Sequence, residues 1–251
     1  MSDRLFCQNY RGFQIAGTFF FASETGKARL VKFMELGEML GKSEKVIVDN
    51  FHKLYYQTLG RTWKNTFWLN VPCQKCPLDL WVYQELILDL RPDVIIESGT
   101  GTGGSALFLA SCCELLKNGR VITIDIDDQP NRPVHRRVTY LSGSSISEQI
   151  LQQIRRFINQ TDKVIVILDS EHTKEYVLQE LRIYSELVTI GSYLIVEDSN
   201  VNGHPVMSDF GPGPMEAIRE FLKHNENFVI DRTKEKFYLT FNPCGYLKKL
   251  R

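Results

Sequence analysis

The sequence predicts an α/β fold built on a doubly wound, mostly parallel, seven-stranded sheet. From about Leu78 onward, short runs of β-branched and apolar residues alternate with helical stretches, a pattern typical of a parallel sheet covered by helices. The run VIVIL at 164–168 is apolar throughout, as expected of a strand that is buried on both faces. In such a sheet, ligands bind at the carboxyl ends of the strands.

The predicted elements follow this alternation in order. Helices are expected at Leu78–Leu90, Ser105–Leu116, Glu148–Ile158 and Lys174–Leu187. The parallel strands are expected at Val94–Glu97, Val121–Asp125, Val138–Leu141, Val164–Asp169 and Tyr193–Asp198. Two last strands, Phe228–Asp231 and Phe237–Phe241, lie too close in sequence for a crossover helix, so they are predicted to pair antiparallel.

Residues 1–65 precede this alternation and are predicted to form a helical extension to a domain at residues 66–251. Helices are expected at Ala28–Leu40 and at Ser43–Leu59. In the second helix Ile47, Phe51 and Leu54 fall on one face, as in an amphipathic helix. Because such a face needs a partner, it is expected to pack on the main domain or on another subunit, and self-association is expected.

Composition argues against two classes of partner. Lysine plus arginine and aspartate plus glutamate are equal at 30 each, so no overall basic field favours nucleic acid. No stretch approaches the roughly 20 apolar residues of a membrane helix, so stable membrane insertion is not expected and a cytoplasmic protein is predicted. Cys73 and Cys76 lack two further ligands at zinc-site spacing, and reduced thiols are expected.

A glycine-rich turn follows the first parallel strand, in the run Glu97-Ser98-Gly99-Thr100-Gly101-Thr102-Gly103-Gly104. The spacing fits both a dinucleotide fingerprint and the form found in methyltransferases. Glu97 favours the second form, because a carboxylate repels a pyrophosphate and attracts a sulfonium cofactor with an ammonium group. Asp125 ends the next strand, where it can accept both ribose hydroxyls. A tight turn with a helix-capping acid is the structural alternative.

Acidic residues end two later strands: Asp169 ends one, and Glu197 and Asp198 end the other. If the strands are neighbours, about 4.8 Å apart, the three carboxylates converge at one edge of the sheet. Such a cluster is costly unless a cation neutralises it, and an all-oxygen set suits Mg²⁺ or another hard divalent ion. The alternative is that Asp169 and Asp198 only cap the segments that follow.

His172, three residues past Asp169, is the candidate general base and is expected on the first turn of the next helix. Lys174 is a second candidate. The Gly/Pro-rich loop 200–214 carries His204 and Asp209 and reads as a substrate lid or wall. A rigid surface loop is equally compatible with this composition.

Six segments, taken together, resemble the cephalosporin hydroxylase/rhamnosyl O-methyltransferase family of class I methyltransferases, which have a Rossmann-like fold. They are PLDLWVYQELI (77–87), RPDVIIESGTGTGGSALFLAS (91–111), VITIDID (121–127), VILDSEH (166–172), YLIVEDSNVNGHPVMSDFGPGP (193–214) and KFYLTFNPCGYL (236–247). The resemblance covers about residues 66–251. It implies transfer of a methyl group from S-adenosylmethionine to a hydroxyl of a small molecule, sugar or natural product, with bound magnesium.

The resemblance also assigns residues. Asp169, Glu197 and Asp198 become the metal ligands. The cofactor contacts become Glu97, Gly99, Thr100, Gly101, Gly103, Asp125, Asp169 and, near the adenine, Ser144 and Ser145. The layout also resembles catechol O-methyltransferase, whose base stands three residues past the first metal acid, and this correspondence favours His172.

Three other functions compete with methyl transfer as an explanation of these motifs. A non-haem iron oxygenase is rejected, because the His-x-carboxylate pair at His224 and Glu226 has no histidine after it. A nicotinamide oxidoreductase is disfavoured by Glu97. A non-catalytic, cofactor-binding accessory subunit of a biosynthetic system remains the alternative.

Overall fold

The computed structural model describes the backbone of residues 12–15, 18–21 and 28–251, and side chains from residue 41 onward. The chain divides into two compact units, Met1–Asp49 and Asn50–Arg251. In the first unit, strands β1 (Gly12–Ile15) and β2 (Thr18–Phe21) form an antiparallel pair that the sequence analysis did not predict. The predicted boundary between residues 65 and 66 stays a prediction.

One continuous helix, α1 (Ala28–Gln57), runs where two were predicted, so the break expected near Gly41 was wrong. A single interior glycine costs only about 1 kcal/mol relative to alanine. The residues around Gly41 are mostly good helix formers, such as Met39, Leu40 and Lys42, so one glycine does not end the helix. Phe51 and Leu54, on the predicted apolar face, are exposed in the described part of the chain.

The second unit is built around one large sheet. Its elements begin with the two-stranded pair β3 (Phe67–Trp68) and β4 (Val71–Pro72), followed by α2 (Pro77–Leu90), β5 (Val94–Ser98), α3 (Gly104–Leu115), β6 (Arg120–Asp125), β7 (Val138–Ser142), α4 (Glu148–Arg156), β8 (Val164–Leu168), α5 (Lys174–Tyr184), β9 (Tyr193–Val196), α6 (Pro214–His224), β10 (Phe228–Ile230) and β11 (Tyr246–Lys249). The sheet order is β10-β11-β9-β8-β5-β6-β7. Within this seven-stranded sheet, only the two pairings of β11, with β10 and with β9, are antiparallel. The predicted seven-stranded, mostly parallel sheet with an antiparallel C-terminal strand is confirmed.

The C-terminal pairing differs from the prediction. β10 pairs with β11, at Tyr246–Lys249, and Phe237–Phe241 is not a strand. The backbone N–H of Phe241 instead donates to Asp79 Oδ2 at 2.8 Å, and the Thr240 hydroxyl donates to Asp79 Oδ1 at 2.5 Å. A buried acid on α2 therefore takes hydrogen bonds that a strand would have given to the sheet. Helix α6 was also not predicted.

Two apolar cores lie on the two faces of the sheet, because successive strand residues point to opposite sides. On one face Ile95, Ile165 and Ile195 pack with residues of α2 and α3. On the other, Ile96 and Val166 pack with residues of α4, α5 and α6. This packing fixes the register of β5, β8 and β9, so that their carboxyl ends reach the same edge. Within the described residues, no helix combines the length and apolarity needed to cross a bilayer.

Candidate active site

The ends of β5, β8 and β9 are joined by backbone hydrogen bonds at the carboxyl edge of the sheet. The Asp169 N–H donates to the Ser98 carbonyl at 2.9 Å, and the Glu197 N–H donates to the Leu168 carbonyl at 2.9 Å. β8 and β9 are parallel neighbours, as the acid-cluster hypothesis required. The side chains that follow these strands therefore start from adjacent points.

Three of these side chains form a compact cluster. One ligand atom from each of Asp169, His172 and Asp198 lies within 4.8 Å of the others. His172 Nε2 is 3.1 Å from Asp198 Oδ2. His172 lies in the loop before α5, which begins at Lys174, and not on the first helical turn as predicted. Asp198 has a φ of +51°, a left-handed conformation that is uncommon outside glycine and tends to occur at functional sites.

Glu197, the third predicted metal ligand, lies beside this cluster with both oxygens engaged. Its Oε1 accepts from the Tyr83 hydroxyl at 2.8 Å, and its Oε2 is 2.7 Å from Lys75 Nζ. Burial, reinforced by the negative charge of Asp169, raises the pKa of Glu197 to about 7, although Lys75 opposes the shift. The structure thus places His172, and not Glu197, with the two aspartates.

Lys75, which the sequence analysis missed, is the cation among these acids. Its side chain is 6% exposed, and its Nζ contacts both Asp169 and Glu197. Burial lowers the pKa of Lys75, but the charges of Asp169, Glu197 and Glu97 outweigh burial and hold it well above its usual range. No local sequence pattern marks Lys75, which lies in the loop between Cys73 and Cys76.

The glycine turn lies against the Asp169 turn. Gly99 has a φ of +89°, and a Cβ placed on it would lie 1.8 Å from the Asp169 carbonyl oxygen. At Gly101, with a φ of +50°, a Cβ would meet no heavy atom within 4 Å. The first glycine therefore allows two backbone segments to touch, whereas the second leaves open space at the cavity wall.

Glu97 is fully buried under this turn. The Thr123 hydroxyl donates to its Oε2 at 2.7 Å, and the Thr100 and Thr123 hydroxyls are 2.6 Å apart. Burial raises the pKa of Glu97, and the positive charge of Lys75 opposes that. Among the described residues, Glu97 Oε1 has no hydrogen-bond partner, and neither does Oε2 of Glu180.

Asp125 joins the glycine turn to the end of β6. Its Oδ2 accepts from the Gly101 N–H at 2.8 Å, and its Oδ1 accepts from the Asp127 N–H at 3.0 Å. Arg132, which was not predicted, lies 3.3 Å from Asp125 Oδ2 and donates through Nε to the Gly101 carbonyl at 2.9 Å. Asp125 and Arg132 together hold the turn in place.

The turn that contains Ser144 and Ser145 is held by α5. The Tyr176 hydroxyl lies 3.0 Å from the Ser144 hydroxyl and 3.1 Å from that of Ser145. The Ser145 hydroxyl donates to Glu180 Oε1 at 2.6 Å, and the Ser170 hydroxyl donates to the same oxygen at 2.8 Å. Glu180, fully buried and missed in the sequence analysis, therefore ties this turn to the one that follows Asp169.

These groups open onto a cavity of about 810 Å³, within the usual size range of small-molecule sites. Of the predicted residues, the cavity is lined by Gly99, Thr100, Gly101, Asp125, Ser144, Ser145, Asp169, His172 and Asp198. Glu97 and Glu197 lie behind its wall. An aromatic wall, defined here as Tyr56, Trp63 and Phe210, lines another part, with Tyr56 and Trp63 stacked at 5.3 Å between ring centroids.

Besides Glu97 and Glu197, four predicted residues do not line the cavity: Gly103, Lys174, His204 and Asp209. Lys174 begins α5, where its backbone N–H donates to the Pro212 carbonyl at 3.1 Å. His204 Nε2 lies 2.8 Å from Glu216 Oε1, and that glutamate caps α6. Asp209 is exposed. The loop 200–214 contributes Val201, Met207 and Phe210 to the cavity instead.

Comparison with known proteins agrees with this architecture. The family model described as rhamnosyl O-methyltransferase/CmcI matches residues 60–250. A rhamnosyl O-methyltransferase of Mycobacterium leprae is 38% identical over 217 residues, covering 83% of this chain and 93% of the relative. One of Mycobacterium bovis is 36% identical over 229 residues, covering 88% and 92%. A solved CmcI structure with Mg-SAM has a TM-score of 0.59 at 19% identity, covering 75% of this chain and 78% of that one. The chain belongs to the rhamnosyl O-methyltransferase/CmcI family.

Proposed function

We propose that this protein is an S-adenosylmethionine-dependent, Mg²⁺-dependent O-methyltransferase that acts on a hydroxyl of a small molecule or sugar. One observation carries the proposal: the glycine turn and the cluster of Asp169, His172 and Asp198 open onto the same cavity. The names of the related rhamnosyl O-methyltransferases and of the CmcI structure with Mg-SAM support it.

The turn from Gly99 to Gly103, with Thr100 and Gly101, is the proposed cradle of the cofactor. Its backbone is open at Gly101, where a ligand can approach closely. Asp125 lies at the ribose position of this fold, and Ser144 and Ser145 are proposed near the adenine. Glu97, which the family resemblance assigns to the cofactor, lies behind the cavity wall with Oε1 unpaired among the described residues, and it is proposed to attract the positive charge of the cofactor from there.

Asp169 and Asp198 are the proposed carboxylate ligands of a divalent ion. Oxygen donors suit a hard cation such as Mg²⁺, and the 4.8 Å spread of the cluster is close to what one ion can span. Glu197 is proposed as a ligand from the family resemblance, and this role requires an oxygen that now contacts Lys75 or Tyr83. Asp169 and Asp198 therefore fit the implied metal as they stand, and Glu197 fits it once Lys75 or Tyr83 releases an oxygen.

When bound, S-adenosylmethionine supplies the methyl group and the divalent ion lowers the pKa of the acceptor hydroxyl. His172 is proposed to take the hydroxyl proton, as the general base. Because its Nε2 faces Asp198, Nδ1 is the nitrogen that accepts the proton, and Asp198 stabilises the resulting imidazolium. The walls of the cavity align the reacting groups, which contributes a large share of the rate. Lys174 is the less suitable base, since it lies outside the cavity wall.

The acceptor is proposed to be a sugar or an apolar small molecule with a free hydroxyl. Aromatic faces bury the apolar surface of such ligands, and the aromatic wall of Tyr56, Trp63 and Phe210 lies in the same cavity as the acids. Nucleic acid is not proposed, because the chain has no net positive charge. Self-association is proposed on the exposed apolar residues Phe51 and Leu54, and light scattering of the full chain tests it.

The test compares wild type with Asp169→Ala and with Asp209→Ala, an exposed control outside the cavity. S-adenosylmethionine binding is measured by calorimetry, and methyl rhamnoside with Mg²⁺ is the probe acceptor, with product followed by mass spectrometry. Wild type and Asp209→Ala should add a methyl group, and a chelator should stop them. Asp169→Ala should bind the cofactor and transfer nothing. Full turnover by Asp169→Ala with the chelator present would exclude the metal role.

The alternative, a non-catalytic accessory subunit, has a different signature. Such a protein binds the cofactor tightly but methylates no acceptor in a panel of glycosides and phenols, with or without Mg²⁺. Turnover on any member of that panel, lost on replacing Asp169, separates the enzyme from the accessory subunit.

A further inference from the structure

Lys75 is a buried cation whose position is fixed by the fold. It lies between β4 and α2, in a loop tied to Thr66 by a hydrogen bond from the Cys73 N–H to the Thr66 carbonyl at 2.9 Å. The side chain is 6% exposed, yet it lines the cavity that holds Asp169 and Asp198. The ammonium group therefore reaches the cavity from a buried position.

The partners of Lys75 are the acids already assigned to the site. Its Nζ contacts Asp169 Oδ2 and lies 2.7 Å from Glu197 Oε2, while Tyr83 holds the other oxygen of Glu197. A buried ion pair is weak evidence for stability, because removing two charges from water offsets most of their attraction. Stability alone is thus a poor reason for a lysine at this point.

Asp169 belongs to two groups at once. It forms an ion pair with the Lys75 ammonium, and it is one of the three residues of the compact cluster. A cation that binds the cluster and the ammonium of Lys75 both attract the same carboxylate and repel each other. Without Lys75, the acids Glu97, Asp169, Glu197 and Asp198 would present one more uncompensated negative charge to an incoming cation.

We propose that Lys75 is a positioning residue that holds Asp169 and Glu197 together as their internal counter-ion and limits how tightly the site binds a divalent cation. This inference rests on the proposed function. It explains how the acids stay assembled when no metal is bound. It also keeps the ion exchangeable, because the same acids without a lysine would bind a divalent ion more tightly and release it more slowly.

The test measures Mg²⁺ binding without cofactor or acceptor, by calorimetry and by thermal melting with and without MgCl₂ at about pH 8, well above the ordinary pKa of a carboxyl group. Lys75→Met removes the charge and keeps most of the volume, and Lys75→Arg keeps the charge. Lys64→Met is the matched control for metal binding, because Lys64 lines the same cavity but lies over the Trp63 ring, 5.2 Å from its centroid.

Lys75→Met should melt at a lower temperature than wild type without metal, and should bind Mg²⁺ at least about tenfold more tightly, because a nearby repelling charge is gone. Its melting temperature should also rise more on adding Mg²⁺. Lys75→Arg and Lys64→Met should bind Mg²⁺ as wild type does. If Lys75 had only a structural role, Lys75→Met would bind Mg²⁺ more weakly than wild type, because a loosened site binds metal less well.

Unchanged or weaker Mg²⁺ binding by a folded Lys75→Met protein overturns the inference, while metal binding and methyl transfer by wild type leave the proposed function intact. If Lys75→Met does not fold, a Lys75→Arg protein with tighter Mg²⁺ binding than wild type also overturns it, because the charge is still present. Absence of Mg²⁺ binding in every variant, wild type included, contradicts both the inference and the metal role in the proposed function.

Discussion

Replacing Gly99 with alanine should destabilise the whole second unit, because the added methyl group has no room. Gly99 has a φ of +89°, and a Cβ there would lie 1.8 Å from the carbonyl oxygen of Asp169 and 2.5 Å from its carbonyl carbon. Both are backbone atoms, which cannot rotate away as the end of a flexible side chain can. The turn after β5 would have to separate from the turn after β8.

Two contributions set the size of the effect. A non-glycine residue in the left-handed region costs about 1–2 kcal/mol. Forcing extra volume into a packed site costs about 1–3 kcal/mol more. The free energy of unfolding of Gly99→Ala should therefore be about 2–5 kcal/mol below that of wild type, a large share of the roughly 5–15 kcal/mol available to a typical protein.

Urea denaturation of wild type, Gly99→Ala and Gly191→Ala separates the two contributions. Gly191 has a similar φ of +82°, but a Cβ on it would meet no heavy atom within 4 Å. Gly191→Ala should lose only the conformational part, about 1–2 kcal/mol. If Gly99→Ala loses no more than Gly191→Ala, close approach of the two turns is not what requires glycine at position 99.

Three further predictions address the base, the buried network and pH. His172→Ala should lower kcat by about 10²–10⁴-fold with S-adenosylmethionine affinity unchanged by calorimetry; unaltered turnover would place the base elsewhere. Tyr83→Phe should lower the free energy of unfolding in urea by about 1–3 kcal/mol, because Glu197 loses its donor and Asn242 its acceptor; a variant as stable as wild type contradicts this. Burial raises the pKa of Asp79 to about 7, above the roughly 4 of an aspartate in the unfolded chain. The folded state therefore gains stability from protonated Asp79; this contribution is complete below about pH 4 and is lost as the pH rises to about 7. The free energy of unfolding of wild type, relative to Asp79→Asn, should fall across that window, and a constant difference would show that Asp79 is ionised throughout.

Strand positions were predictable because they depend on local pattern. The apolar runs that became β5, β6 and β8 are bounded by glycine, proline or acidic residues, and their ends were placed within a residue or two. Once the strands were read as parallel neighbours, convergence of Asp169 and Asp198 followed from geometry alone. The strand predicted at Phe237–Phe241 was wrong because the prediction relied on local pattern alone. The apolar composition of this segment resembles a strand, but the backbone N–H of Phe241 donates to Asp79.

The residues that were missed owe their positions to contacts between distant parts of the chain. Lys75, Glu180 and Arg132 are each charged, and each is buried against a partner or an adjacent turn. Periodicity gave a partial signal for Glu180 only: it lies on the buried face of α5 with Val177 and Tyr184, and an acid on an apolar face is unusual. For Lys75, no local pattern tells a loop lysine that enters the core from one that faces water.

The polar face of α2 has a consequence for attempts to redesign this enzyme. Asp79 and Tyr83, one helical turn apart, receive hydrogen bonds from Tyr246 and Asn242 near the chain terminus, and Tyr83 continues to Glu197. A hybrid that takes its last thirty or so residues from a relative should therefore inherit α2 from that same relative. Libraries aimed at new acceptors are better directed at Phe210 than at Trp63, because Trp63 packs on Phe241, whose backbone N–H donates to Asp79.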